Sequence, residues 1–170
     1  MKQESTWACP VERQRKDGGM NMRVALGSDH GGYELKEVIL KHLEAQGLKV
    51  QDFGTYSADP VDYPKYGFSV GSAIIKGEAD LGIVICGTGQ GISMAANKIS
   101  GIRAAVCSET FSARMARAHN NANVLSLGAR VIGVGLALDI VDIFLKTEFL
   151  GGRHAHRLKL ISDFERGEKV

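Results

Sequence analysis

A glycine-rich segment between an apolar run and a helix-like stretch is the part of the sequence best suited to chemistry. In order, its residues are Cys86, Gly87, Thr88, Gly89, Gln90 and Gly91. Glycines let the backbone approach a ligand closely, and the free N–H groups at the start of a following helix attract an anion or an oxyanion. The segment predicts either a site for a small anionic ligand or only a tight strand-to-helix turn.

Two common nucleotide-binding motifs can be compared with this segment. The dinucleotide fingerprint G-x-G-x-x-G needs a third glycine where Ile92 stands, although Glu109 lies near the spacing of the usual acidic partner. Spacing alone therefore does not exclude NAD. The Walker A motif does not fit, because no Gly-Lys-Ser/Thr sequence follows the loop.

Cys86 and the pair Asp29-His30 each follow an apolar, strand-like run. Cys86 is either an inert core cysteine or a thiolate, favoured by the adjacent helix start, that acts as a nucleophile or a base. A neighbouring carboxylate and imidazole suit proton transfer to sugar hydroxyls or phosphate binding. The alternative for the pair is a helix N-cap aspartate beside an exposed histidine.

Basic residues near the C-terminus have the spacing of a phosphate clamp. Arg153 and Arg157 are four residues apart, so on a helix both guanidinium groups would share one face. A solvated basic face is the competing interpretation. His154 and His156 would diverge on a helix and are not predicted to bind a metal. His119 and the asparagines after it have the ordinary features of a helix C-cap.

Composition restricts the class of protein. The chain has 170 residues, 21 Lys+Arg against 19 Asp+Glu, a net charge of +2 and three cysteines. This balance does not favour a nucleic-acid partner, and no apolar run reaches the ~20 residues that cross a bilayer. Residues 1–21 are predicted to be a disordered N-terminal extension without a secretory signal, and residues 22–170 a single domain. We expect a cytoplasmic protein.

Short apolar runs alternate with amphipathic stretches along the rest of the chain. Strands are predicted at residues 23–27, 49–53, 81–86, 103–106 and 124–127, and helices at 32–46, 66–76, 92–98, 109–119, 133–145 and 156–165. This alternation predicts an open parallel α/β sheet. Ligands of such sheets bind beyond the carboxyl ends of the strands, at the topological switch point. Asp29 and Cys86 are therefore expected at the same rim.

Several motifs in order resemble the ribose-5-phosphate isomerase B family, which is related to galactose-6-phosphate isomerase subunits. They are residues 27–32, 62–64, 85–93, 95–98, 101–104, 119–120, 128–130 and 151–154, within a similarity that runs from about residue 22 to 165. The resemblance implies a Rossmann-like three-layer sandwich with a central, mostly parallel five-stranded sheet. It also implies interconversion of ribose 5-phosphate and ribulose 5-phosphate without metal or organic cofactor, in a homodimer or homotetramer with sites across a subunit interface.

The same resemblance implies roles for individual residues. Cys86 would be the base that moves a proton between C1 and C2, His119 would assist opening of the furanose ring, and Asp29 and Thr88 complete the catalytic set. The phosphate would be bound by His30, Arg130, Arg153 and Arg157. The whole substrate-binding set comprises Asp29, His30, Tyr63, Gly87, Thr88, Gly89, Gln90, Gly91, Asn97, Asn120, Arg130, Arg153 and Arg157.

Three other functions remain open. The same chemistry can act on a six-carbon sugar, allose 6-phosphate or galactose 6-phosphate. The domain can be a non-catalytic module that binds nucleotides or sugar phosphates. A Cys–His acyl-transfer enzyme would use Cys86 with His119. Some family members have a serine base with a nearby glutamate; this chain has Cys86, and Gln90 in the loop, which fits the cysteine branch.

Overall fold

The fold is a five-stranded parallel sheet between two layers of helices, in a computed structural model that describes residues 22–169. The strands are β1 Arg23–Ser28, β2 Lys49–Asp52, β3 Leu81–Cys86, β4 Ala104–Val106 and β5 Val124–Gly128. The helices are α1 Tyr33–Ala45, α2 Tyr63–Ile75, α3 Gln90–Ala96, α4 Thr110–Ala118, α5 Val134–Lys146 and α6 Arg153–Glu165. The predicted α/β class is confirmed, and every strand pair is parallel.

The strand β3 is central because its sequence is apolar on both faces. All six of its residues are buried, as expected for a parallel strand covered by helices above and below. It pairs with β1 on one side and β5 on the other, with Ile83 opposite both Leu26 and Leu125. The carboxyl end of β3 therefore lies between two other strand ends.

Helices cover both faces of the sheet through separate apolar cores. On one face, Leu35, Ile39 and Leu43 of α1 join Ala113 of α4 and Phe144 of α5 in one cluster. On the other face, Tyr66, Val70 and Ile74 of α2 pack with Ile92 and Ala96 of α3. These layers form a three-layer sandwich. Within residues 22–169, none of the helices has the length and apolar character needed to cross a bilayer.

The strand order places a switch point beside β3. The order is β2-β1-β3-β5-β4, so the chain leaves β1 toward one edge of the sheet and leaves β3 toward the other. Connections that diverge in this way open a crevice at the carboxyl ends of the two strands. The residues that follow β1 and β3, including Asp29 and the 87–91 loop, border this crevice.

Three helices begin earlier than the sequence pattern predicts. Helix α2 begins at Tyr63 rather than residue 66, because Pro64 fits the first turn of a helix, where its missing N–H costs nothing. Helix α3 begins at Gln90 rather than residue 92. Helix α6 begins at Arg153 rather than residue 156, directly after Gly152, whose φ is 55°. Arg153 and Arg157 therefore do lie on one helix. The predicted disorder of residues 1–21 lies outside the described residues.

A polar cluster joins α1 to α5 on the outside of one helix layer. Asp142 accepts hydrogen bonds from Gln46 at 3.0 Å and Lys146 at 2.9 Å, and its Oδ1 lies 2.7 Å from Nε2 of His42. Partial burial raises the pKa of Asp142, but the bonds from Gln46, His42 and Lys146 outweigh it and lower this pKa from 3.8 to about 2. The carboxylate form therefore stabilises the contact between these helices.

We expect Asp142→Asn to lower the free energy of unfolding at pH 7 by about 1–2 kcal/mol, because a carboxyl with a depressed native pKa stabilises the fold when ionised. This contribution is complete above the unfolded pKa of 3.8 and is lost as the pH falls through about 2. Urea unfolding at pH 7, 5, 4 and 3 measures it. The difference between wild type and variant should shrink toward the acid end.

Asp139→Asn is the matched control for this measurement, since Asp139 is an exposed carboxylate on the same helix. It should leave the free energy of unfolding within about 0.5 kcal/mol of wild type at every pH. A difference between wild type and Asp142→Asn that stayed constant with pH would contradict the assigned role of the ionised carboxylate.

Candidate active site

Cys86 ends β3 and lies under the glycine loop that follows it. Its side chain is 5% exposed, and its Sγ accepts a hydrogen bond from the backbone N–H of Gly89 at 3.1 Å. Gly89 can make this bond because its φ of 79° turns the chain back toward the sulfur, a conformation that favours glycine. An N–H group directed at the sulfur stabilises the negative charge of a thiolate.

The glycine loop is attached to β5 through its carbonyl groups. Ser126 donates its Oγ–H to Gly89 O at 2.6 Å, and the N–H groups of Ala129 and Arg130 donate to the carbonyls of Cys86 and Gly87 at 2.9 and 3.0 Å. A Cβ at Gly89 would lie 3.0 Å from the carbonyl carbon of Leu127, so the loop also touches the β5 backbone. These contacts hold the loop in one conformation above Cys86.

Asp29, Gly87 and Arg130 converge on one point beside Gly31. A Cβ built on Gly31 would lie 3.3 Å from Asp29 Oδ1, 3.3 Å from Gly87 N and 3.5 Å from Arg130 Nη2. Asp29 is 8% exposed, and its Oδ1 accepts a hydrogen bond from Gly32 N at 3.1 Å. The aspartate thus caps the short turn at His30–Gly32, as the N-cap interpretation predicts, while it lies at the same rim as the loop.

The segment between β2 and α2 supplies the other wall of this rim. The Tyr63 ring lies on Gly91, where an added Cβ would be 2.7 Å from its Cζ. Val61 donates its N–H to His30 Nδ1 at 3.1 Å, which orients the imidazole. The structure therefore brings His30 and Tyr63 to the mouth of the crevice near the loop.

A buried lysine beneath the rim holds this segment to the sheet. Lys36 has a side chain with 0% exposure, and its Nζ contacts Asp52 at 2.5 Å and Glu37 at 2.8 Å. Burial lowers the pKa of Lys36, but the bonds to these carboxylates outweigh it and raise the pKa overall. Asp52 also accepts the Gly54 N–H at 2.8 Å. Ionised Lys36 thus stabilises the start of the segment that runs from Asp52 to Tyr63.

A second group of predicted site residues surrounds the start of α6. His119 follows the last turn of α4, and its ring stacks on that of His154 with 4.1 Å between centroids and 8° between planes. The N–H of Leu150 donates to Ala118 O at 3.0 Å and ties the two segments together. Arg153 and Arg157 are exposed on the same helix as His154.

The two groups lie at opposite ends of the sheet within one chain. Cys86 pairs with Gly128 at the carboxyl end of β5, whereas α4 runs back, so His119 lies near the start of β5 at Val124. Arg103, directly before β4, donates to the Asn120 carbonyl at 3.2 Å, which confirms this placement of the His119 segment. The length of β5 separates the groups by roughly 13–17 Å, beyond the reach of a hydrogen bond or one water.

The two asparagines predicted to contact substrate, Asn97 and Asn120, differ in their surroundings. Asn97 donates to Ala104 O at 2.9 Å and accepts from Ala104 N at 2.8 Å, so its amide holds β4 to the end of α3. Asn120 is exposed beside His119. Substrate contact by either side chain stays a prediction.

Two residues of these groups were missed by the sequence analysis. His154 was predicted not to bind a metal and was part of a family motif without a role, and no local pattern indicates that it packs against a residue 35 positions earlier. Ser126 had a signal, because it is the one polar residue in the buried strand VLSLG. A polar side chain inside such a strand needs a partner, and here the partner is the glycine loop.

The other described cysteine, Cys107, is a buried thiol. Burial, together with the charge of Glu109, raises the pKa of Cys107 to about 11, so this thiol stays protonated at neutral pH. Within residues 22–169, no group of three or more His, Cys, Asp or Glu side chains is arranged to hold a metal ion. Cys86 thus lies beside the Gly89 N–H, at a rim that the Asp29 carboxylate and the Arg130 guanidinium also border.

Known proteins share both the sequence and the fold. A family model described as Ribose/Galactose Isomerase matches residues 24–161. Ribose-5-phosphate isomerase B of Escherichia coli (strain K12) is 50% identical over 143 residues, covering 84% of this chain and 96% of that protein. The structure of Clostridium thermocellum ribose-5-phosphate isomerase B is 57% identical, with a TM-score of 0.85 over 86% of this chain and 99% of that one.

A further solved structure carries a ligand. Ribose-5-phosphate isomerase B from Mycoplasma genitalium with bound ribulose-5-phosphate is 42% identical to this chain, with a TM-score of 0.82. It covers 85% of this chain and 97% of its own. The family model alone spans well over half of the sequence, and the solved structures agree with this chain in fold. The chain therefore belongs to the ribose/galactose isomerase family.

Proposed function

We propose that this protein is an aldose–ketose isomerase that interconverts D-ribose 5-phosphate and D-ribulose 5-phosphate, with Cys86 as the base. The observation that carries the proposal is the Gly89 N–H at 3.1 Å from Cys86 Sγ, in a loop whose backbone borders the Asp29–Arg130 rim. Membership of the family and the sugar phosphates named for its relatives support the substrate class. Residues 22–170 would form the catalytic domain, acting in the cytoplasm.

The reaction needs only proton transfers. The Cys86 thiolate removes the proton on C2 of the open-chain aldose, and the electron pair moves onto the carbonyl oxygen at C1 as the enediolate forms. N–H groups of residues 87–91 stabilise that oxygen. Returning the proton to C1, and moving the hydroxyl proton from O2 to O1 with help from Asp29 and Thr88, gives the ketose. Losing one such N–H donor typically costs ~3 kcal/mol of barrier.

The phosphate holds the sugar so that its reacting carbons meet Cys86. His30 and Arg130 border the crevice of the same chain, and a guanidinium suits a phosphate dianion because it donates two parallel hydrogen bonds. Anchoring the remote phosphate converts binding energy into rate by fixing the distance from C1 and C2 to the base. Tyr63 and Gln90 complete the substrate contacts that we propose within this chain; Asn97, whose amide bonds Ala104 opposite Val124, belongs to the other end of the sheet.

We propose that His119, Asn120, Arg153 and Arg157 act in the site of a second copy of the chain. Within one chain the length of β5 separates them from Cys86, as described above, so a single subunit cannot apply both groups to one sugar phosphate. A two-fold dimer can place the start of α6 of one subunit at the crevice of the other. The same separation argues against an intrachain Cys86–His119 pair for acyl transfer.

A six-carbon sugar phosphate is the second candidate substrate, and the description of the family, which names galactose as well as ribose, favours keeping it. Allose 6-phosphate and galactose 6-phosphate would need a longer distance between Cys86 and the phosphate clamp. We expect kcat/KM to be highest for ribose 5-phosphate when the three sugar phosphates are compared in one assay. A higher kcat/KM for one of the hexose phosphates would contradict ribose 5-phosphate as the substrate and favour that hexose phosphate.

We expect Cys86→Ala to lower kcat for ribulose 5-phosphate formation by about 10²–10⁴-fold, because a positioned base contributes about that much to a proton transfer. Substrate affinity, measured by calorimetry, should change little, since the base acts mainly in the transition state. Cys107→Ala is the matched control and should retain activity, because Cys107 packs in the apolar core between the sheet and α4 and α5. All assays contain EDTA, which should have no effect.

Near-wild-type turnover by Cys86→Ala would show that another group is the base. Unchanged binding without turnover in the wild-type protein would instead favour the non-catalytic module. Loss of wild-type activity in EDTA would contradict the metal-free reaction.

We expect two variants that are each impaired in converting ribose 5-phosphate to restore activity to each other if the site is built from two chains. Cys86→Ala and His119→Ala, coexpressed with different tags, form heterodimers in which one site has both wild-type residues. Random assembly predicts about a quarter of wild-type activity from ribose 5-phosphate. The purified heterodimer, carrying both tags, is assayed beside each homodimer. A heterodimer no more active than the homodimers would contradict the shared site.

A further inference from the structure

We propose that His154 is a positioning residue for His119: its stacked ring fixes the plane of the His119 imidazole and leaves the edge nitrogens free for the furanose ring of the substrate. This inference rests on the proposed function, because it assigns His119 to ring opening. It adds a residue that acts through His119, without itself touching the reacting atoms.

The stack is the contact that orients the His119 ring. The rings are nearly parallel, 8° apart, with centroids 4.1 Å apart, and His154 is 8% exposed. The backbone N–H of His119 donates to Met115 O at 2.9 Å, but no side chain within residues 22–169 hydrogen-bonds to its imidazole. A stacked neighbour covers a face of an aromatic ring rather than its edge, which is where both nitrogens of an imidazole lie.

Burial also favours the neutral form of the His154 ring. Burial of His154, followed by the charges of His119, Arg153 and Arg157, lowers the pKa of His154. Two protonated imidazoles stacked at this distance would repel each other, which also favours the neutral form of His154. A neutral stacking partner is what a general acid–base histidine needs beside it.

The position of His154 also connects His119 to the phosphate clamp. His154 lies between Arg153 and Arg157 in the first turns of α6, and its ring packs under the end of α4. The stack therefore sets the distance between the proposed phosphate-binding guanidinium groups and the proposed ring-opening group. Loss of the stack would let the guanidinium groups and the His119 imidazole move independently. A small misplacement of a catalytic group lowers the rate steeply.

Substrate chemistry provides a readout that a merely structural role would not change. Ribose 5-phosphate closes into a furanose through its 4-hydroxyl, so it must be opened before isomerisation. Ribulose 5-phosphate cannot close in the same way, because its 5-oxygen carries the phosphate. An enzyme that has lost ring opening depends on spontaneous opening of the aldose. Its rate from the aldose then stops rising with enzyme concentration, whereas its rate from the ketose stays proportional to enzyme.

The experiment measures initial rates in both directions over a wide range of enzyme concentration. Wild type should give rates proportional to enzyme in both directions, and His119→Ala should reach a plateau from ribose 5-phosphate alone. For His154→Ala, we expect the plot of rate from ribose 5-phosphate against enzyme concentration to curve toward that plateau, with ring opening slowed about 10–100-fold. His154→Phe keeps a stacked aromatic ring of similar shape and should stay proportional in both directions.

Three results would overturn the inference while leaving isomerase activity established. These are proportional rates in both directions for His154→Ala, a bend of equal size for His154→Phe, and proportional rates for His119→Ala. An inactive wild-type protein would instead overturn the proposed function. His154→Phe keeps the test decisive if His154→Ala does not fold, because a bend in that variant contradicts stacking by itself.

Discussion

Attachment of the glycine loop to β5 is the interaction on which the rest of the candidate site depends. Parallel strands end at the same edge, but the edge carries a defined site only if the chain that leaves it is held. Here the carbonyls of Cys86, Gly87 and Gly89 accept hydrogen bonds from residues of β5 and its continuation. With the carbonyls used on that side, the Gly89 N–H turns to the sulfur of Cys86. Donors fixed before the reaction avoid the cost of reorganisation.

A second constraint follows from the direction of the connections. In a parallel sheet every helix returns the chain to the amino ends of the strands, so residues at the end of a helix face away from residues at the end of a strand. Cys86 ends a strand, and His119 ends a helix. Within one subunit, this fold therefore keeps Cys86 and His119 at opposite ends of the sheet. Only a second subunit could bring the two residues to one site. In the proposed dimer, each site therefore needs Cys86 from one subunit and His119 from the other.

A buried titratable side chain supports each of the two groups of candidate site residues. Lys36 is fully buried between two carboxylates, and removing one partner of such a group is expected to be strongly destabilising because the other charge stays buried. At the other end of the sheet, His154 is buried against His119, and burial, followed by the charges of His119, Arg153 and Arg157, lowers its pKa. One site keeps a charged lysine to hold a loop, and the other keeps a neutral imidazole to support a ring.

The amino-acid sequence by itself determined the order of strands and helices, the buried central strand and the rim that holds Asp29 and Cys86. These follow from local patterns: apolar runs, helix periodicity and glycines after strands. The early starts of α2 and α6 differed from prediction by three residues each, because Pro64 and Gly152 set those boundaries more strongly than the apolar pattern does. The family resemblance supplied the roles of single residues.

Only the tertiary structure decided which predicted residues are neighbours. The contact of Ser126 with Gly89, the stack of His154 on His119 and the separation of His119 from Cys86 join or divide residues far apart in the chain. No local pattern encodes such distances, because they depend on the strand order and on the face to which each helix returns. The candidate site residues can therefore be named from the sequence, whereas their division into two groups at opposite ends of the sheet is a property of the fold.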